Sequence, residues 1–135
     1  MVIGKLNRLF RCHRGQALVE LALVLPILLL LLMGIIEFGR IFFSYLTITE
    51  LAREGARYGV VGHSDAQIIS HIENHSTVLD ALDMGIDISP PDLVRQRGDG
   101  LTITVNYSVD LIVPFPEGVV PDPVPLMASC TMRME

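Results

Sequence analysis

The chain contains 135 residues, which is enough for one domain but too few for two independent hydrophobic cores. Half of the residues are hydrophobic, and the mean hydropathy of +0.49 is seldom reached by a soluble domain of this size without a concentrated apolar block. The formal net charge is −5 and only two cysteines are present, so the composition excludes a disulfide-rich scaffold.

The apolar block lies near the N-terminus. Residues 21–36 carry no formal charge, and residues 17–19 extend this run across the single carboxylate of Glu20. At about 1.5 Å per residue, about twenty helical residues match a hydrocarbon core of about 30 Å. The rest of the chain is too short to wrap an all-apolar helix on every side. The sequence therefore predicts a transmembrane helix over residues 16–37 and not the core helix of a soluble domain.

Basic residues precede this block without any acid, and they are Lys5, Arg8, Arg11 and Arg14. The whole chain carries −5, so with +4 in this leader the remainder carries −9. Basic residues that flank a first span hold that flank in the cytoplasm, which predicts a cytoplasmic N-terminus and a C-terminal domain outside. Topology explains these charges better than nucleic-acid binding does, so no nucleic-acid partner is expected.

The two cysteines, Cys12 and Cys130, fall on opposite sides of the membrane in this topology and cannot pair within one chain. Cys12 lies among basic residues at the cytoplasmic face, where an inert thiol is favoured over acylation. Cys130 is most simply a small apolar core residue.

The residues in front of the apolar block are similar to a prepilin processing site. Gly15 follows the basic leader, and Glu20 lies five positions beyond it. In type IV prepilins a membrane aspartic peptidase cuts after such a glycine, so the cut is expected between Gly15 and Gln16. The carboxylate of Glu20, which is costly in lipid when unpaired, would then match the new amino terminus of a neighbouring subunit during assembly.

A second interpretation of the same residues stays open. Gly15 would then only end a turn of the leader, and Glu20 would lie at the interfacial edge of the span, where a carboxylate costs little. The chain would in that case keep residues 1–15 and remain a permanent anchor. An ordinary secretory signal is disfavoured because the apolar stretch is too long and no A-x-A site follows it.

Residues 14–40, RGQALVELALVLPILLLLLMGIIEFGR, resemble the opening signature of the TadE-like (TadE/TadG) pseudopilin family, and residues 51–58, LAREGARY, resemble its continuation. Leu21 departs from tight-adherence pilins, which usually carry an aromatic residue there, and Pro26 departs from a simple pilin helix. The resemblance implies a structural or assembly component of a tight-adherence (Flp) type IV pilus that acts in surface attachment. It implies a location in the bacterial inner membrane and leaves open whether the chain is incorporated into a pilus.

The same resemblance implies the partners. These are the lipid bilayer, other pilin or pseudopilin helices, the tight-adherence assembly platform and a prepilin peptidase. A rival hypothesis is an uncleaved, single-pass, membrane-tethered binding module outside any pilus system.

Helical spacing of apolar residues continues beyond the span to about residue 60, with Pro26 expected to kink the helix. Residues 63–82 suggest a turn and a second helix, capped by Ser64 or Asp65 and carrying an apolar stripe of Ile68, Ile69 and Ile72. Gly55 and Gly59, with Ala52 and Ala56, repeat a small-residue spacing that suits either a partner helix or packing on the chain's own domain.

Three strands are predicted in the remainder, at residues 84–89, 101–113 and about 126–134, separated by turns and a proline-rich connection over residues 114–125. The predicted fold class is α+β, with a long N-terminal transmembrane helix extending into a small antiparallel sheet with one further helix. The predicted division is a leader over 1–15, a span over 16–37, a helical extension over 38–62 and a small domain over 63–135.

One pattern invites an enzymatic hypothesis, because His71 and His75 are four residues apart on a helix and suit zinc ligation. The zinc-protease motif requires Glu directly after the first His, and Ile72 stands there. Surface histidines are the favoured explanation over a membrane-tethered zinc hydrolase. We therefore expect no catalytic residues, no metal site and no cofactor.

Overall fold

The computed structural model describes residues 13–113 and 120–135, apart from the side chains of His13, Arg14 and Ala81. Within these residues the chain forms helices α1 and α2, strands β1, β2 and β3, and two short 3-10 turns. Their bounds are α1 His13–Gly59, α2 Asp65–His75, β1 Met84–Ser89, β2 Gly100–Val109, β3 Val124–Arg133, and the turns Ala81–Asp83 and Asp92–Val94. The predicted α+β fold class is confirmed.

The chain divides after Glu37 into two compact units. In the first unit, every residue of α1 from 16 to 36 is exposed except Gly34, which is half-buried. By length and composition α1 is able to cross a membrane, and the apolar window that qualifies it has no buried residues. The N-terminal apolar helix therefore fits a single-pass membrane protein. The basic residues Lys5, Arg8 and Arg11, and also Cys12, lie outside the described residues.

The second unit contains a three-stranded antiparallel sheet in the order β1-β2-β3. Ile88 pairs with Ile103, and Ile103 pairs with Cys130, which places these three apolar side chains in line across the sheet. Along β2 the apolar residues alternate with polar ones, because successive strand side chains point to opposite faces. One face of the sheet therefore joins the core, and the other carries hydroxyl and amide side chains.

The core of this unit forms where small residues of α1 meet α2 and β2. Ala52 and Ala56 are buried, and the glycines between and after them leave no room for a side chain. A Cβ atom at position 55 would lie 2.5 Å from Ile72 Cδ1, and one at position 59 would lie 2.5 Å from Leu101 Cδ2. The small-residue spacing is thus used for packing on the chain's own domain, which decides between the two interpretations.

Helix α2 is shorter than the predicted segment of residues 63–82. Its N-cap is Ser64, as expected, and the Ser64 backbone N–H donates to Gln67 Oε1 at 3.1 Å. The helix ends at His75 because the buried Ser76 donates its hydroxyl to the Glu73 carbonyl at 2.8 Å, satisfying a carbonyl of the last turn. The chain then turns so that Leu79 enters the core.

The strand bounds differ from the prediction at β2 and at the start of β3, which begins at Val124, inside the predicted proline-rich connection, and not near residue 126. β1 matches residues 84–89. β2 ends at Val109, which pairs with Val124 at the start of β3, and does not continue to residue 113. The Leu111 N–H donates instead to Asp122 Oδ1 at 3.2 Å, so the chain has already left the sheet. Residues 114–119 of the predicted proline-rich connection lie outside the described residues.

A buried arginine ties the loop before β2 to the start of α2. The Arg95 side chain is only 4% exposed and forms an ion pair with Asp65. Its Nε donates to the Pro90 carbonyl at 2.8 Å, and another nitrogen donates to the His63 carbonyl at 3.1 Å. Burial lowers the pKa of the Arg95 guanidinium through desolvation, and these contacts offset part of that cost.

The tight approach at Gly55 gives a test of the core. We expect Gly55→Leu to lower the free energy of unfolding of the full chain in detergent by about 2 kcal/mol, because overpacking displaces Ile72 and Ile103. The matched control is Gly39→Leu on the same helix, where a Cβ meets nothing within 4 Å. Denaturant midpoints followed by circular dichroism measure both variants, and equal midpoints would contradict the packing described.

Candidate functional site

The residues predicted to take part in processing all lie on α1. Gly15 is half-buried, and Gln16 and Glu20 are exposed. A glycine inside a helix weakens it by up to about 1 kcal/mol relative to alanine, and it offers no side chain to obstruct an approaching protease. The peptide bond between Gly15 and Gln16 therefore lies in the first turn of α1, between a residue without a side chain and an exposed one.

Glu20 brings a carboxylate to an otherwise uncharged surface. The side chains three and four positions away on the same helix face are Gln16, Ala17, Leu23 and Val24, and none of them carries a positive charge. These helical neighbours therefore offer Glu20 no counter-charge. In a low-dielectric environment such a carboxylate favours contact with a cationic group of a partner.

The histidines of α2 belong to a cluster of stacked rings on the second unit. Tyr58 of α1 stacks on His63, with ring centroids 3.7 Å apart, and on His71, with centroids 4.1 Å apart. Two near-parallel rings at these distances cannot share one face of the phenol ring, so they cover its opposite faces. His75 continues the cluster with its ring 4.2 Å from that of His71.

In this arrangement the imidazole rings do not point toward one common position at which they could bind a metal ion. The Tyr58 ring separates His63 from His71, and His75 Nδ1 lies 2.8 Å from the His71 carbonyl. Glu54 Oε1 lies 3.5 Å from His71 Nε2. In the part of the chain that the structure describes, no three His, Cys, Asp or Glu side chains are grouped to hold a metal ion.

Aromatic packing, and not surface exposure alone, accounts for His71. Its ring is half-buried against Tyr58, whereas His75 is exposed. The sequence pattern predicted two surface histidines because it could not show that Tyr58, thirteen positions before His71 and on the other helix, supplies the stacking surface. The signal that could have found part of the cluster is the pair of rings, Tyr58 and His63, on either side of the turn at Gly62.

An open groove of about 510 Å³ runs along the polar part of α1 in the second unit. Its charged lining residues alternate in sign, and they are Glu50, Arg53, Glu54 and Arg57. His75 and Met132 close the other side. The groove presents no pairing of a nucleophile with a base, and its mixed charge suits contact with a polar partner surface better than capture of a small molecule.

The comparisons with known proteins agree with the N-terminal pattern. The family model described as TadE-like protein matches residues 15–57, a segment that contains Gly15, Glu20, the apolar run and the small residues of α1 up to Ala56. No curated protein and no solved structure matches the chain. The resemblance noted in the sequence is thereby confirmed: residues 15–57 of this chain are similar to the TadE-like family.

Proposed function

We propose that the chain is a membrane-anchored pseudopilin that serves as a structural or assembly component of a tight-adherence (Flp) type IV pilus in surface attachment. The TadE-like match over residues 15–57 is the observation that carries this proposal, since the family suggests a component associated with a Tad pilus. The matched segment includes the exposed apolar helix, so the family pattern and the membrane-compatible surface coincide.

In this proposal the protein acts through helix contacts and not through catalysis. Residues 16–37 hold it in the inner membrane, with residues 1–15 in the cytoplasm and the extension and domain, residues 38–62 and 63–135, outside. The leader is removed by a prepilin peptidase, and the helix then packs beside other pilin or pseudopilin helices at the assembly platform. Glu20 pairs there with a neighbouring amino terminus, and the lack of a positive charge among its neighbours on its own helix face supports this pairing.

Cleavage after Gly15 is the first consequence to test. Co-expression with a prepilin peptidase should yield a membrane-extracted chain that begins at Gln16, whereas Gly15→Val should keep the full leader because a branched side chain obstructs the backbone. Intact mass and N-terminal sequencing measure both. Gly34→Val is the matched control, since its site is open and lies away from the cut.

A known prepilin processed in the same cells establishes that the peptidase is active. A full-length chain recovered beside that processed prepilin would contradict the filament-subunit version of the proposal. It would favour the rival hypothesis, an uncleaved membrane-tethered binding module.

The role of Glu20 gives the second test. In a host whose own copy is deleted, Glu20→Gln should insert into the membrane and be cleaved as usual, because removing a charge does not hinder insertion. Surface piliation should nevertheless be lost, because the partner amino terminus has no carboxylate to pair with. Counting pili by electron microscopy measures this, with Glu50→Gln on the exposed polar part of α1 as the control.

Normal piliation of the Glu20→Gln strain, at a matched protein level, would show that Glu20 takes no part in assembly. Failure of the deletion itself to reduce piliation would contradict the proposed pilus function as a whole.

A further inference from the structure

A stripe of exposed apolar side chains occupies the first turns of α1 in the second unit. We define this aromatic stripe by five residues whose exposed fractions lie between 44% and 69%, and they are Phe38, Phe42, Phe43, Tyr45 and Leu46. The rings of Phe38 and Phe42 stack, with centroids 6.2 Å apart and planes within 9°. A contiguous apolar surface of this kind on a small domain usually marks an interaction site.

The opposite side of the same turns is covered by the domain. Ser44, Ile48 and Leu51 are buried, which leaves the aromatic stripe as the uncovered side of the helix. The domain's own core therefore gives the stripe no partner among the described residues. Whatever covers it has to come from the surroundings of the molecule.

Charged residues are kept off the aromatic stripe. Glu37, which precedes it, is only 3% exposed, and Arg40 is half-buried and makes an interaction within the structure. The first fully exposed charges along α1 after the apolar run are Glu50 and Arg53. The boundary between apolar and charged surface thus falls after Leu46, about ten residues later than the position of Glu37 in the sequence suggests.

We propose that the aromatic stripe lies in the headgroup and upper acyl-chain layer of the extracytoplasmic membrane leaflet. This inference rests on the membrane anchorage proposed above. Residues 17–36 already supply the roughly twenty residues that cross a hydrocarbon core, so the stripe follows the core in sequence by one to three turns. Aromatic side chains with an apolar body and a polar tip, as in Tyr45, are enriched in that interfacial layer.

The stripe suits lipid better than a single protein groove because its five residues carry no charge with which to select a partner. In sequence the stripe follows the exposed apolar residues 21–36, and no exposed charge stands between them. The consequence is that the domain is held close against the bilayer and not displayed on a solvated stalk.

The chain contains no tryptophan, so one substitution creates a single fluorescent reporter. Phe42→Trp and Tyr45→Trp place it on the aromatic stripe, and both sites are exposed enough to accept the larger ring. Arg53→Trp is the matched control. Arg53 lies eleven residues after Phe42, which is about three helical turns, so it returns to the same face of α1. Leu28→Trp reports on the apolar span itself.

Each full-length variant is reconstituted in vesicles of phosphatidylcholine and phosphatidylglycerol that contain a phosphatidylcholine brominated near the headgroup or near the chain end. Phe42→Trp and Tyr45→Trp should show blue-shifted emission, and the lipid brominated near the headgroup should quench most of this fluorescence. Leu28→Trp should be quenched by the lipid brominated near the chain end, and Arg53→Trp should be quenched by neither.

One result would overturn the inference and leave the membrane anchor intact. In that result Leu28→Trp is quenched, whereas Phe42→Trp and Tyr45→Trp are as unquenched as Arg53→Trp. Blue-shifted emission that neither brominated lipid quenches would show that protein covers the stripe, and this would also overturn it. An unquenched Leu28→Trp would overturn both the inference and the anchorage on which it rests.

Discussion

Water cannot be the surroundings of α1 over residues 21–36, where nearly every side chain is apolar and about half exposed or more. Twelve of these sixteen residues are Leu, Ile or Val. At about 0.3–0.6 kcal/mol each, they favour insertion into a bilayer by about 4–7 kcal/mol, which exceeds the roughly 3 kcal/mol that one acidic residue costs at the centre of a span. The single carboxylate of Glu20 therefore does not prevent the helix from entering lipid, and it becomes a group that a partner can neutralise.

The same helix changes its environment along its length, and side-chain size follows that change. Large apolar residues face outward where lipid is expected, whereas Gly55, Ala56 and Gly59 stand where α2 and β2 approach most closely. Removing side chains from one face of α1 brings Ile68, Ile72 and Leu101 against its backbone, which lets a small domain bury a continuous core. The family pattern of residues 15–57 thus contains both the apolar surface and most of the face on which the rest of the chain folds.

Features with a strong local signal could be predicted from the sequence. The apolar run, the alternation in β1 and β2, the cap at Ser64 and the α+β class all follow from periodicity and turn chemistry. The end of α2 could not be predicted, because it depends on the burial of Ser76 and Leu79 in a core assembled from distant residues. The ion pair of Arg95 with Asp65 joins residues thirty positions apart, and the stacking of His71 on Tyr58 joins residues of two different helices. At the candidate processing site the local pattern identifies Gly15, Gln16 and Glu20, but cleavage and pairing depend on other molecules.

The central claim is that residues 16–37 cross the membrane once, with the domain outside. It is tested most directly by a membrane-impermeant maleimide applied to intact spheroplasts that lack a prepilin peptidase. One variant keeps Cys12 as its only thiol through Cys130→Ala, and the other combines Cys12→Ser and Cys130→Ala with Ser129→Cys on the exposed side of β3. The account predicts that Ser129→Cys is labelled in intact spheroplasts and that Cys12 is labelled only after lysis. Labelling of Cys12 in intact spheroplasts, or of both thiols only after lysis, would contradict it.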